Sequence, residues 1–304
     1  MSDFLLRLCP ACNTETKNFL EVQAPMIAET MTIEDLTPYW NGFFKGKSFF
    51  SYYRCNECGL LYCPKFFSPS QLEYLYAQMP DNTAGVSIRT LSKTQNGYFS
   101  FFRKHSALNG DYIEIGPDIG LFTKYCISEG NFNHFWLFEP NVTVWPTLKG
   151  LLKDSKYDLT GEMSNFDILP NGNASTAVLI HVLDHFLNPL EFLTTIRKKL
   201  KKEGLLFVVT HDESSLMAQV LSSRWPPFCL QHPQLYRPKT ISHLFQKAGF
   251  KLIEIEKTYN YFPVMYLVKH MFWVMGIKGI PLPKWEEFSL PLKLGNIVSI
   301  AKAI

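Results

Sequence analysis

At 304 residues and 46% hydrophobic content, the chain is long enough for one large α/β domain with additions, or for two domains, and can bury a sizeable core. Lys and Arg outnumber Asp and Glu by only 30 to 27, which gives no argument for nucleic acid or an anionic membrane as the main partner. No window reaches the ~18 to 20 uninterrupted apolar residues of a spanning helix, and MSDFLLRLCPAC lacks the basic lead and apolar run of a signal peptide, so a cytoplasmic protein is expected. In that reducing setting the seven cysteines should be thiols or metal ligands.

Five of those cysteines precede residue 64. Cys9-Pro-Ala-Cys12 and Cys55-Asn-Glu-Cys58 are two CxxC pairs, each able to turn two thiolates toward one tetrahedral ion. Together they predict a structural zinc site of four cysteines clamping the 42-residue segment Asn13 to Arg54, with Cys63 as a spare thiol that could replace one ligand. SPSQLEYL, from Ser68, starts like a capped helix. Ser87 to Leu108 carries Ile88, Leu91, Tyr98, Phe99, Phe102 and Leu108 at helical spacing, a stripe read as core rather than ligand box.

Asn109-Gly110 then breaks the helix before DYIEIGPDIGLFTKY, Asp111 to Tyr125, where a buried strand turns into a helix at Gly116 and Gly120. A second apolar strand ends in Glu139, about twenty residues on, the offset at which a carboxylate reaches a ribose bound over the turn. Further elements alternate: a helix over Val142 to Leu152, a weak strand near Tyr157 to Leu159, and a buried strand from Ser175 to Ile180 running into His181-Val-Leu-Asp184-His185. A helix follows from Pro189 through Leu200, then a strand from Leu205 to Thr210 ending in His211-Asp212-Glu213. A helix over Pro238 to Ala248 and strands over Phe250 to Glu256 and Asn296 to Lys302 complete the pattern. Such alternation predicts a doubly wound, mostly parallel α/β sheet. The insertion between the last two strands, 257–294, is rich in Phe, Met and Trp; it reads as a lid or homodimer surface in preference to a membrane-surface helix over 262–280, because Lys269 and His270 are its only basic residues before Lys278.

The run EIGPDIG, the strand end FEPN, the strand followed by HVLDH, KKEGLLFVV and LGNIVSIAKA together resemble class I S-adenosylmethionine-dependent methyltransferases over about Gly110 to Ile304. The two CxxC knuckles resemble the amino-terminal zinc-binding segment of sugar and polysaccharide-pathway methyltransferases. The resemblance implies a seven-stranded Rossmann-like domain over 110–304, preceded by a zinc-binding module over 1–67 and a helical connector or lid over 68–109. It implies a cofactor site at Glu114, Gly116, Asp118, Gly120, Glu139, Pro140, Met163, Ser164 and His181, the last bordering the sulfonium. Asp118 departs from the family, which has a third glycine there. That acid also disfavours a nicotinamide dinucleotide, whose pyrophosphate it would repel.

The expected acceptor is a small molecule or glycan, foremost a sugar or sugar nucleotide; a lipid or quinone-like acceptor at a membrane and a non-catalytic binding protein are the alternatives. A hydroxyl acceptor must lose a proton, and histidine is best tuned for that near neutral pH. His181 and His211 end strands at the ligand edge and His232 lies in PPFCLQHPQLY; His181 is the preferred base, with His211 and His232 as alternatives. His211 is expected to be oriented by Asp212 or to be a solvated loop residue.

Overall fold

The structure, a computed structural model, describes residues 4–14, 19–40, 48–77, 87–163, 165–265, 267–268 and 288–304. Its centre is a seven-stranded sheet of β1 (Asn109–Ile115), β2 (Asn131–Phe138), β3 (Tyr157–Thr160), β4 (Ala174–Ile180), β5 (Leu200–His211), β6 (Phe250–Lys257) and β7 (Asn296–Ala303). The spatial order is β3-β2-β1-β4-β5-β7-β6, with parallel pairing from β3 through β5 and β7 antiparallel to both its neighbours. The fold class read from the sequence is therefore present, as a mixed sheet with one reversed strand.

Alternation along the strands builds two core layers. Ile113, Ile115, Ala177, Leu179, Leu206 and Val208 pack on one face against α4 (Pro189–Lys199) and α5 (Pro238–Lys247), through Phe192, Ile196, Ile241 and Leu244. Tyr112, Val178, Phe207 and Val209 face the other way, toward α1 (Ile88–Phe102), α2 (Leu121–Glu129) and α3 (Trp145–Leu151). Both faces are covered, as a central parallel sheet requires.

The stripe on α1 is core at Tyr98, Phe99 and Phe102, but Ile88 at its start is exposed, and the helix ends at Phe102 rather than near Leu108. Strand β5 starts at Leu200, earlier than expected, because Leu200 pairs with Ala174 before a register shift restores Thr176 opposite Leu205. The ends of the 257–294 insertion pair as a hairpin, Asn260–Pro263 with Ser289–Leu292; most of the 262–280 segment lies outside the described residues. Among the described residues no helix is long and apolar enough to cross a membrane.

At the amino-terminal side a four-stranded sheet runs in the order Gln234–Leu235, Leu61–Tyr62, Tyr52–Arg54, Phe19–Val22. Its first strand belongs to the segment after β5, so the cysteine-bearing region is hydrogen-bonded into the body of the chain. Glu213, just beyond β5, reinforces the junction by accepting from Arg54 Nη1 at 2.7 Å and Arg237 Nε at 2.5 Å.

Candidate active site

The strand order reverses direction between β1 and β4, and the crevice beyond their carboxyl ends is where an open α/β sheet binds ligands. The β1 end is the turn Gly116 to Gly120. Gly116, Asp118 and Gly120 all have positive φ (66°, 52° and 76°), so Asp118 takes the left-handed conformation that the missing glycine would have taken. A Cβ on Gly116 would stand 2.7 Å from Val182 Cγ2, so the turn lies hard against the segment after β4.

Glu139, buried at the end of β2, ties this turn in place. Its Oε2 accepts from the Asp118 N–H and its Oε1 from the Asn141 N–H, both at 2.8 Å. Burial raises its pKa, opposed by these two backbone donors and assisted by the Asp118 charge. Each oxygen keeps lone pairs for a further donor. Pro140 beside it is exposed, Met163 is half-buried against the core, and Ser164 lies outside the described residues. The Glu114 carboxylate instead accepts from Tyr112 Oη at 2.7 Å and Thr123 Oγ1 at 2.5 Å; burial pushes its pKa up to about 7 despite those donors.

The β4 and β5 ends bring the histidines together. His181 has φ 54°, a conformation non-glycine residues seldom adopt, and its Nε2 lies 3.2 Å from Tyr98 Oη, which in turn donates to Asn260 Oδ1 at 2.7 Å. Its ring centroid is 4.8 Å from that of His211, which is 4.9 Å from that of His232, which is 4.8 Å from that of His185. Tyr76 Oη, on the helix Pro69–Ala77, reaches His185 Nδ1 at 3.2 Å.

His211 Nδ1 is 2.6 Å from Oδ2 of the fully buried Asp184. Asp212 is not its partner: Asp212 Oδ1 accepts from Ser214 N and Oγ. Burial would raise the Asp184 carboxyl, but the His211 bond and the neighbouring imidazoles hold it below the usual range. Burial lowers the pKa of His211, partly offset by Asp184, and lowers His181 and His185 to about 3 each. His232 goes the other way: burial disfavours its cation, yet Cys229, Asp184 and the Pro227 carbonyl outweigh it and raise the value to about 9.

Tyr98, Tyr76 and Asp184 were not among the sequence-derived site residues. Asp184 had a signal in HVLDH; Tyr98 had none, because helical spacing alone accounted for it.

The four knuckle cysteines converge, with all four Sγ atoms within 4.8 Å of one another. Cys9 and Cys58 are 3.4 Å apart and Cys12 and Cys55 3.7 Å. The contact between Cys9 and Cys58 raises the former thiol, with burial adding to it, and lowers the latter against burial. Cys63 does not join them. It is buried in a separate apolar cluster, and its thiol donates to the Phe50 carbonyl, so it is no substitute ligand.

The family profile described as a methyltransferase domain matches residues 92–255, more than half of the chain. No curated protein matches it. Among solved structures, it is similar to the candidate methyltransferase from a complex with the Haloferax volcanii Trm112 methyltransferase activator, at 10% identity and TM-score 0.51 over 71% of this chain and 92% of that one. It is also similar to an S-adenosylmethionine-dependent methyltransferase from Mesorhizobium loti, at 11% identity and TM-score 0.48 over 68% of this chain and 99% of that one. At such identities the structural likeness speaks to fold alone, and the family match carries the assignment. The chain belongs to the methyltransferase-domain family and is an S-adenosylmethionine-dependent methyltransferase.

Proposed function

We propose that the chain methylates a hydroxyl of a small or glycan-linked acceptor, foremost a sugar or sugar nucleotide, with His211 as the base that removes the hydroxyl proton. The observation that carries this reading is the half-buried His211 paired with the fully buried Asp184 beside the strand-switch crevice. A base is needed for a hydroxyl acceptor, and a neutral imidazole held by a carboxylate is suited to it. His211 replaces His181 as the preferred base, because His181 has Tyr98 rather than a carboxylate as its partner. His232, with its pKa raised to about 9, suits holding an anionic acceptor group better than taking a proton. The sugar class itself rests on the likeness of the cysteine knuckles.

The residues at the β1 and β2 ends fit S-adenosylmethionine. Glu139, bonded to the turn, has lone pairs left for two ribose hydroxyls. When bound, S-adenosylmethionine supplies an electrophilic methyl group on a sulfonium. The protein's part is then to hold the acceptor oxygen in line with that carbon, keep water out, and take the proton on His211 Nε2.

Cys9, Cys12, Cys55 and Cys58 fit a structural Zn²⁺. Sulfurs at ~2.3 Å from a tetrahedral ion are about 3.8 Å apart, close to the separations of 3.4 and 3.7 Å. The test is methyl transfer from S-adenosylmethionine to a panel of sugar nucleotides, with metal analysis of protein purified without chelator. A methyl ether product that depends on Asp184 is expected. Transfer that is indifferent to Asp184→Asn sinks the base, and protein without zinc sinks the metal.

A further inference from the structure

The methyl-transfer reading draws its base from one pair among the imidazoles and the carboxylate that crowd the crevice. We infer that Asp184, His211 and His232 form a binding site for a divalent transition-metal ion such as Zn²⁺, Co²⁺ or Ni²⁺. One donor atom from each of the three can be chosen so that all lie within 4.8 Å of one another. His211 Nδ1 and Asp184 Oδ2 are 2.6 Å apart and need to open only to the ~3.3 to 3.6 Å that separates neighbouring ligands on a tetrahedral ion at ~2.0 to 2.2 Å.

Two further observations point to a ligand here. Asp184 is fully buried, and its Oδ1 has no hydrogen-bond partner among the described residues, so one oxygen of the carboxylate is left without a donor among the neighbouring imidazoles. The Pro227 carbonyl can only accept, so His232 Nδ1 donates to it at 2.7 Å; this fixes the ring and leaves Nε2, whose proton the ion displaces to solvent, as the coordinating nitrogen, the arrangement that orients metal-bound imidazoles. One carboxylate with two imidazoles selects borderline ions over Ca²⁺ or Mg²⁺. Three protein donors leave a coordination position open, unlike four thiolates.

The ion takes the place of the proton that His211 Nδ1 shares with Asp184. That proton moves to Nε2, so the ring no longer has a lone pair for an acceptor hydroxyl. Ion binding stands on the geometry alone; the loss of turnover rests on His211 being the base.

Metal-free protein titrated with Co²⁺ tests both. Two classes of bound cobalt are expected: one with thiolate charge-transfer absorption from the cysteines, and one with ligand-field bands only. Asp184→Asn and His232→Ala should each abolish the second class and leave the thiolate band intact, which also reports that the variant is folded. Uptake confined to the thiolate class, or a second class that survives both substitutions, overturns the site. Should either variant fail to fold, X-ray absorption of the second class in the wild-type protein decides: a nitrogen and oxygen shell supports the site, and sulfur ligands overturn it. Filling the second class should slow methyl transfer by about tenfold or more, reversibly on chelation. If it fills without slowing turnover, the ion site stands and the assignment of His211 as base falls.

Discussion

His211 Nδ1 lies 2.6 Å from Asp184 Oδ2, and that carboxylate comes from the turn after the adjacent strand rather than from Asp212, the sequence neighbour. The pair exists because β4 and β5 lie side by side in parallel, with Ile180 opposite Val209, so both strands deliver their next residues to one spot.

Asp184→Asn should lower kcat about a hundredfold or more with little change in KM, if the carboxylate holds the imidazole in its productive tautomer. The pH profile carries a second signature. A base works when neutral, so the rate falls as pH drops through the His211 pKa, which burial places below the ordinary histidine value. Asp184 opposes that lowering, so its removal should move the acid limb to still lower pH as the plateau drops. Initial rates across pH for both proteins check this.

Glu139→Gln should weaken S-adenosylmethionine binding about tenfold to a hundredfold, the worth of one to two hydrogen bonds to a charged group. Calorimetry measures it. The substitution also loosens the turn, since Glu139 Oε2 accepts from the Asp118 N–H.

Gly116→Ala should destabilise the fold by about 1 to 3 kcal/mol, through positive φ and a Cβ 2.7 Å from Val182 Cγ2. Adding Val182→Ala removes the clash but not the backbone strain. The double variant should therefore recover part of the loss in chemical denaturation, a coupling that two independent sites would not show.

Stability should fall in mild acid. His181 and His185 are lowered to about 3 by burial, so between roughly pH 6.5 and 3 the unfolded chain binds protons that the folded one refuses. Their contribution is complete above pH 6.5 and is lost as pH falls through that window. Asp184, held below the usual carboxylate range, adds its own loss only below about pH 4. Urea midpoints at pH 7.5 and 5 should separate for the wild type and lie closer together in His181→Gln combined with His185→Gln, with His211 and His232 supplying the remaining dependence.

Features set by local periodicity were legible in the sequence. Strands β1, β4 and β7 and helices α4 and α5 are short apolar or amphipathic runs bounded by glycine or proline, and the offset of Glu139 from the glycine turn survives folding intact. What depended on which strands become neighbours was not legible. Asp212 is next to His211 in the chain, yet successive residues of a strand point to opposite faces, so the adjacent acid was the wrong partner. Tyr98 is both buried core and a hydrogen-bond partner of His181; its helical spacing revealed only the first role.

The strand Gln234–Leu235 closes the amino-terminal sheet, and immediately before it Tyr52 Oη donates to the His232 carbonyl at 2.6 Å, across 180 residues of sequence. The loop that presents His232 is therefore held from outside the catalytic sheet, by the strand that leads directly into Cys55 and Cys58. Such a long-range closure is entropically slow, and it cannot occur on a ribosome until most of the chain has emerged. A substitution that disturbs the strand Tyr52–Arg54 should therefore reach the His232 loop from outside the central sheet, without touching any residue of that sheet.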